Sequence, residues 1–528
     1  MNEKKNLTKA AGVVGFATLL SRILGFLRDM ITAYFVGASM AADAFFVAFR
    51  IPNLLRRLVA EGALTIAFVP VFTEYLTKRS KREALELAGV VFTLMVILLT
   101  VLTILGVVFA PAVISVLAPG FVKSPSQFDL AVSLTRIMFP YIFFISLVSL
   151  MMGMLNSLNH FAAPALAPCL LNLSMIGSVY LLGPLVGSPV YRLAWGVIIG
   201  GVTQLALQVP FLIQKGAMIR FSLDYKHPAV KKIFLLFIPA AMGAGVYQIN
   251  VAVGTLLASM LPQGSVSYLY FADRILEFPL GIFAVAVATA ILPSLSRHVA
   301  GDDMAGLGTT FSFGMRLVLF ITVPAMVGLI VLRRPIVALL FMRGRFTWDA
   351  VEATASALLW YSVGLAAIAG VRIVVNVFYA LQDTATPVKV AALSLVANIF
   401  FSLLLMGPMQ YAGLALANSL SAVVNLGLLA WLLHCRLSDI QAKHIVKSAT
   451  KVATAAGVMG LVIHFGVIVP LYRQNMPTAK ALLVVMGGIL LGMIVYGAVA
   501  LALKSSELRS VMDLVTKRIQ RFQRRQVA

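Results

Sequence analysis

The chain is poor in charge. Only 12% of its 528 residues are Asp, Glu, Lys or Arg, about half the share usual in a soluble domain. Acids are the scarcer sign, 19 against 42 Lys and Arg. The only cysteines, Cys169 and Cys435, lie in apolar segments. That excludes a disulfide framework and leaves both as packing residues. No G-x-x-x-x-G-K-[ST] run occurs, so the chain carries no ATP motor of its own. No H-E-x-x-H or Cys/His cluster occurs either, so no metal site is expected. The six histidines are scattered, and His160 and His298 read as solvated loop ends. The opening MNEKKNLTKA leads into a long apolar run without an A-x-A-like site, which does not read as a cleavable signal.

What is abundant is apolar sequence, 61% of the chain. Runs of about 20 residues, each long enough to cross a bilayer, recur throughout. The pattern predicts an all-α integral membrane protein with 14 transmembrane helices. They fall near 9–36, 40–74, 84–110, 128–157, 161–183, 191–214, 230–260, 265–297, 307–332, 349–381, 386–407, 411–434, 448–470 and 480–503. With the N-terminus inside, 25 basic residues fall in cytoplasmic segments, 8 in outside loops and 9 within spans. This asymmetry places both termini in the cytoplasm, although the loop around RGRF at 343–346 runs against it. At 505–528, Leu508, Val511, Met512, Val515, Ile519 and Phe522 alternate at helical spacing with Lys517, Arg518, Arg521, Arg524 and Arg525. This is the pattern of a basic amphipathic helix on an anionic leaflet.

The chain also repeats itself. AFVP at 67–70 matches AILP at 290–293, and NSLNHFAAP at 156–164 matches YALQDTATP at 379–387, both at a shift of 223 residues. The shift covers six spans, an even number, so the halves share one orientation. The expected organisation is two six-helix bundles in parallel repeat, at 1–222 and 223–440. Two C-terminal helices follow at 441–504, with the basic tail at 505–528. Paired bundles around a central cavity are a transporter architecture; a duplicated scaffold is the non-transporting alternative.

Nine arginines sit within the spans: Arg22, Arg28, Arg50, Arg56, Arg57, Arg136, Arg274, Arg316 and Arg372. Five acids join them: Asp29, Asp43, Glu61, Asp273 and Glu277. Each charge at the bilayer centre costs on the order of 2.5–3.5 kcal/mol, so they must face water or one another. Ser21, Gly25 and Arg28 share one helix stripe, and Arg22 and Asp29 nearly share a face. Asp43, Arg50 and Arg57 recur every seven residues, with Glu61 one turn on. Arg274 and Glu277 are three apart, a spacing that permits contact. The positive excess suits an anion, and arginine grips phosphate with a forked geometry. Arg22, Arg28, Arg56 and Arg274 are the candidate ligand residues, and Asp29, Asp43, Glu61 and Glu277 the candidate supporting ion pairs. Arg50, Arg136, Arg316 and Arg372 read as structural or snorkelling groups.

The stretches SRILGFLRD, ADAFFVAFRIPNLLRRLVAEGALTIAFVPVF, YFADRILEFPLGIF and YALQDTATP resemble the MurJ (MviN) family of the MOP exporter superfamily. The resemblance runs over essentially the whole chain. It implies a flippase, not an enzyme, that serves peptidoglycan and cell-wall biogenesis. The substrate would be lipid II, an undecaprenyl-pyrophosphate-linked disaccharide-pentapeptide. It would cross the bacterial inner membrane by alternating access through a cationic cavity, its tail along the last two helices. Family arginines match Arg22, Arg28, Arg56 and Arg274; family acids match Asp29 and Asp43. Some members are described with a sodium site using an acid in the seventh helix. Here that segment has no acid, and Asn250 is its nearest polar candidate. Asp383 is a candidate for cation or proton coupling, or a helix cap before Pro387. No cofactor is expected; the drive would be membrane potential or coupled Na+ or H+. Expected partners are lipid II, membrane lipids and cell-wall synthesis proteins, with no nucleic acid. A drug antiporter would favour acids and aromatics in its cavity, against the positive excess. A scaffold for cell-wall enzymes would leave the buried arginines unexplained.

Overall fold

The structure, a computed structural model, describes residues 2–57, 64–224, 227–437, 440–474 and 476–509. Among the described residues there are only helices and no strand. Nine of these helices are long and apolar enough to cross a membrane. A tenth span forms if the bent pair Trp348–Val363 and Leu365–Ala380 counts as one. The chain is thus a multi-pass helical membrane protein, and length and composition alone give nine to ten spans rather than fourteen. Of the tail expected at 505–528, residues 510–528 lie outside the described residues.

The chain divides into two compact units, Met1–Ser267 with Arg343–Thr347, and Tyr268–Met342 with Trp348–Ala528. The first holds α1 (Asn2–Val36), α2 (Met40–Leu55), α3 (Leu64–Lys78), α4 (Lys81–Val108), α5 (Ala110–Leu117), α6 (Pro125–Met138), α7 (Tyr141–Ser157), α8 (Ala162–Leu181), α9 (Pro189–Gln214) and α10 (Pro228–Ser259). By repeat numbering α10 opens the second half; by packing it lies against α3 in the first unit. Phe68, Phe72, Leu87, Leu150 and Met154, all at most 1% exposed, knit α3, α4 and α7 together.

Next comes α11 (Ser265–Pro279), which starts in the first unit and continues into the second. The second unit goes on with α12 (Val285–Ala300), α13 (Met304–Phe341), α14 (Trp348–Val363), α15 (Leu365–Ala380), α16 (Ala385–Arg436), α17 (Ala442–Ile463), α18 (Val469–Leu471) and α19 (Thr478–Ala502). Its core gathers Phe311, Ile373, Val377, Phe378, Leu429 and Leu433. On α13 lie α17 and α19, where Gly460 faces Val327 and Gly488 faces Leu332. Small residues allow such close backbone approach where lipid supplies no hydrophobic drive between helices. Tyr496 Oη donates to the Phe320 carbonyl at 2.8 Å and ties α19 to α13. The other face of α19 exposes Leu483, Leu490 and Ile494.

α16 is a hairpin. Gln410 has φ 51° and ψ −130°, non-helical angles between its two helical arms, a region sparsely used by non-glycine residues. Across the turn, Ser394 Oγ donates to the Ser421 carbonyl at 2.9 Å and Asn398 Nδ2 to Ser421 Oγ at 3.2 Å. These are interhelical hydrogen bonds of the kind that hold apolar helices in register.

The 223-residue repeat reappears as geometry. Asn159 and Gln382, 223 apart, both have left-handed backbones, φ 58° and 60°. The amide of His160 reaches the Leu155 carbonyl at 2.8 Å, and that of Asp383 reaches Phe378 at 2.9 Å. These are the 6→1 bonds that close a helix past a left-handed residue. Ser80 caps Glu83 N at 3.2 Å and Asp303 caps Gly306 N at 2.8 Å, again 223 apart.

Candidate substrate-binding site

Each unit carries part of the expected charge cluster. In the first, Arg28 is 7% exposed and Asp29 2%. Arg28 Nη2 and Nε reach Asp29 Oδ1 at 2.7 and 3.0 Å. The guanidinium folds back onto its chain neighbour, so Asp29 serves Arg28. Arg22, expected beside Asp29, is exposed and has no side-chain hydrogen bond or ion pair among the described residues.

A residue that sequence reading passed over completes this cluster. Asn172 of α8, 6% exposed, accepts from Arg28 Nη1 at 3.1 Å and donates from Nδ2 to the Ser21 carbonyl at 3.1 Å. It lies against Gly25. The Ser21–Gly25–Arg28 stripe is thus the bed of an amide clamp: glycine provides room, and Asn172 spans the two positions either side. The signal that could have found it is the one amide side chain within CLLNLSMI, since buried amides in apolar helices require partners. Because Asn172 is neutral, it orients the guanidinium without cancelling its charge.

Asp43 departs from expectation. The seven-residue spacing suggested an arginine partner; its carboxylate instead accepts from Gly264 N at 2.6 Å, Ser267 N at 2.8 Å and Ser267 Oγ at 2.5 Å. These donors lie at and just before the start of α11, where free amides favour a negative charge. Helical spacing cannot reveal a partner more than 200 positions away. Arg50 donates to the Thr255 hydroxyl of α10, and Arg56 Nε to Asn53 Oδ1 at 3.0 Å. Glu61 lies outside the described residues.

In the second unit Arg274 Nη1 meets Glu277 Oε2 at 2.8 Å, the expected contact, with the side chains 31% and 45% exposed. The guanidinium also lies 5.2 Å over the Tyr270 ring, one turn back, a partner the charge pattern did not suggest. Arg316, read as structural, pairs with Glu507 at 3.0 Å beyond α19. Arg136 and Arg372 are exposed and make no side-chain bond among the described residues.

The two coupling candidates differ from each other. Asp383 accepts from Thr386 N at 3.0 Å and Thr386 Oγ at 2.6 Å, which is the cap geometry. It also pairs with Arg436 at 2.6 Å. The Thr386 hydroxyl and amide, then Arg436, hold its pKa below the ordinary carboxylate value. Asn250 on α10 has a buried Oδ1 with no hydrogen-bond partner among the described residues.

The chain has the all-helical membrane-transporter fold seen in the MOP superfamily. Solved multidrug MATE transporters of that superfamily share the fold: an inward-facing one has TM-score 0.64 at 17% identity, covering 81% of this chain and 96% of its own. The family described as "Lipid II flippase MurJ" matches residues 32–502, and the chain belongs to it. "Probable lipid II flippase MurJ" of Vibrio cholerae is 40% identical over 86% of this chain and 88% of its own. "Lipid II flippase MurJ" of Burkholderia cenocepacia is 38% identical over 80% and 82%. A solved "Lipid II flippase MurJ, inward closed conformation" has TM-score 0.78 at 27% identity, covering 94% of this chain and 99% of its own. The family places the chain among transporters rather than enzymes.

Proposed function

We propose that the chain moves lipid II from the cytoplasmic to the outer leaflet of a bacterial inner membrane by alternating access. The observation that carries this reading is the family match over residues 32–502, seconded by the span arginines. Arg22, Arg28, Arg56 and Arg274 take up the pyrophosphate, and α17 and α19 guide the polyprenyl tail along their exposed apolar faces. Of the four, Arg22 makes no bond among the described residues and is the first contact. Arg28 is presented by Asn172 and Asp29, and Arg274 exchanges Glu277 for phosphate. No bond is made or broken in the cargo.

The fourteen-span reading treats α16 as two spans turning at Gln410, takes α14 with α15 as one, and adds α1, α2 with α3, and α10. Both termini then lie in the cytoplasm, as the excess of basic residues on that side supports. For the drive we favour membrane potential acting on the cationic site, worth about 2.3 kcal/mol per charge per 100 mV. Proton coupling through Asp383 is disfavoured, because Thr386 and Arg436 already engage its carboxylate. A role for sodium at Asn250, and docking of cell-wall synthesis proteins, are secondary parts of the proposal.

The experiment is replacement of Arg22, Arg28, Arg56 and Arg274 singly by Ala, at verified expression, in cells depleted of their own flippase. Lipid II reaching the outer leaflet is then measured. Export should fall in each variant; unchanged export in all four overturns the phosphate grip.

A further inference from the structure

A cavity of about 450 Å³ opens at one end of the second unit. Arg333 and Arg334 enter it from about two turns before the end of α13, Asp349, Glu352 and Ser356 from the first half of α14, and Tyr411 from the residue after the Gln410 turn. Two cations and two anions make it formally neutral, unlike the arginine-rich cluster described above.

Much of its bonding capacity is unused. Arg334 Nε meets Glu352 Oε2 at 2.9 Å. Arg333 donates from Nη1 to its own helix, at the Ile330 carbonyl, 2.7 Å away. Asp349 makes no side-chain bond among the described residues. Beside the cavity Tyr472 has a buried hydroxyl without a hydrogen-bond partner among the described residues, and burial and then Glu352 push its pKa up to about 12.

The surroundings locate it at a membrane surface. Arg333 directly follows the apolar run MVGLIVL; Trp348 opens α14, Tyr411 follows the Gln410 turn and Tyr472 follows α18, and aromatic side chains at the ends of spans sit at the headgroup level. Just before Tyr472, Phe465, Val469 and Leu471 are 66%, 53% and 56% exposed, an apolar track for acyl chains.

We propose that this cavity is a binding site for a zwitterionic phospholipid whose head carries a phosphate and a primary ammonium. Arg333 and Arg334 take the phosphate; Asp349 and Glu352, with the Ser356 and Tyr411 hydroxyls, accept the ammonium N–H groups. The charge balance selects among lipids. A purely anionic head would leave the two carboxylates opposed to it. A quaternary ammonium has no N–H to donate and would want an aromatic cage. A diphosphate would need net positive charge. The proposal requires a membrane protein but not lipid II transport, so either can fail alone.

The test is native mass spectrometry of the purified, delipidated full chain with equal concentrations of phosphatidylethanolamine, phosphatidylcholine and phosphatidylglycerol. Phosphatidylethanolamine should be retained about fivefold over the other two, the worth of one half-exposed ion pair. Asp349→Asn with Glu352→Gln should abolish that preference, and Arg333→Gln with Arg334→Gln should abolish retention. Where a double variant does not fold, Asp349→Asn alone, at an exposed side chain, should still lower the preference. Equal retention of the three lipids, an unchanged preference in the Asp349 variant, or displacement of the lipid by a soluble zwitterionic peptide overturns the proposal.

Discussion

Arg28 and Arg274 each sit beside a carboxylate, yet their surroundings oppose one another. The side chains of Arg28 and Asp29 are 8% and 3% exposed, and Asn172 holds a further guanidinium N–H. Those of Arg274 and Glu277 are 31% and 45% exposed, and the guanidinium lies over the Tyr270 ring. A buried pair is hard to open, because removing one partner strands the other charge away from water. A half-exposed pair changes partners at little cost. The first unit thus holds its arginine in a fixed place, while the second holds one that can exchange its acid for another partner.

The largest expected effect tests this contrast. Asp29→Ala should destabilise the purified protein by about 3–5 kcal/mol, while Glu277→Ala should cost at most about 1 kcal/mol, read from thermal unfolding. Equal losses would break the comparison. Asn172→Ala comes next, at roughly 1–3 kcal/mol, since it leaves the Ser21 carbonyl and one Arg28 N–H without their partner. Its apparent affinity for lipid II in reconstituted vesicles should fall more than its maximal flux, because the charge remains but is no longer aimed.

Smaller effects come from the two turns related by 223 residues. Their left-handed positions hold Asn159 and Gln382, and asparagine tolerates that conformation better than glutamine. Gln382→Gly should therefore stabilise by about 0.5 kcal/mol and Asn159→Gly by close to zero, read from melting midpoints. The next residues are His160 and Asp383. Burial and then Lys215 lower the His160 pKa, and the Thr386 bonds lower that of Asp383. Both groups bind protons more readily unfolded, so both contributions are complete above the ordinary pKa and fade as pH falls through the lowered one. His160→Gln should remove acid sensitivity that begins below about pH 6.5. Asp383→Asn should remove sensitivity beginning below about pH 4. Melting curves from pH 7 to 3 separate the two, and one shared onset would refute the assignment.

What could be read beforehand was local or periodic. The AFVP and NSLNHFAAP repeats gave corresponding helices because a 223-residue shift is visible in letters, and the paired turns at Asn159 and Gln382 stand at that same shift. Arg274 and Glu277 met because three residues is less than one helical turn. Asp43 and Asn172 were misread or missed because their partners, Ser267 and Arg28, lie 224 and 144 positions away. Only the packing of separate helices brings such pairs together. Asp29 was assigned to Arg22 by face, but arginine is long enough to double back to the adjacent residue. The phospholipid cavity was hidden for a similar reason: RGRF and its flanks read as an exception to the charge rule, and the neutralising acids arrive on the next helix.

The turn at Gln410 carries a practical consequence. Two helices reverse there with a single non-helical residue between them, so that end of the hairpin offers no slack. An epitope tag or fluorescent label inserted at 410 would have to part the two helices where Gly413 packs against the Leu405 carbonyl. The same cargo placed in the longer connection around 183–188, which joins α8 to α9, would leave that hairpin intact and break instead the bonds of Arg192 to the Val186 and Gly187 carbonyls. Topology mapping by insertion should therefore treat silence at 410 as damage to the protein, not as a report of which side of the membrane it faces.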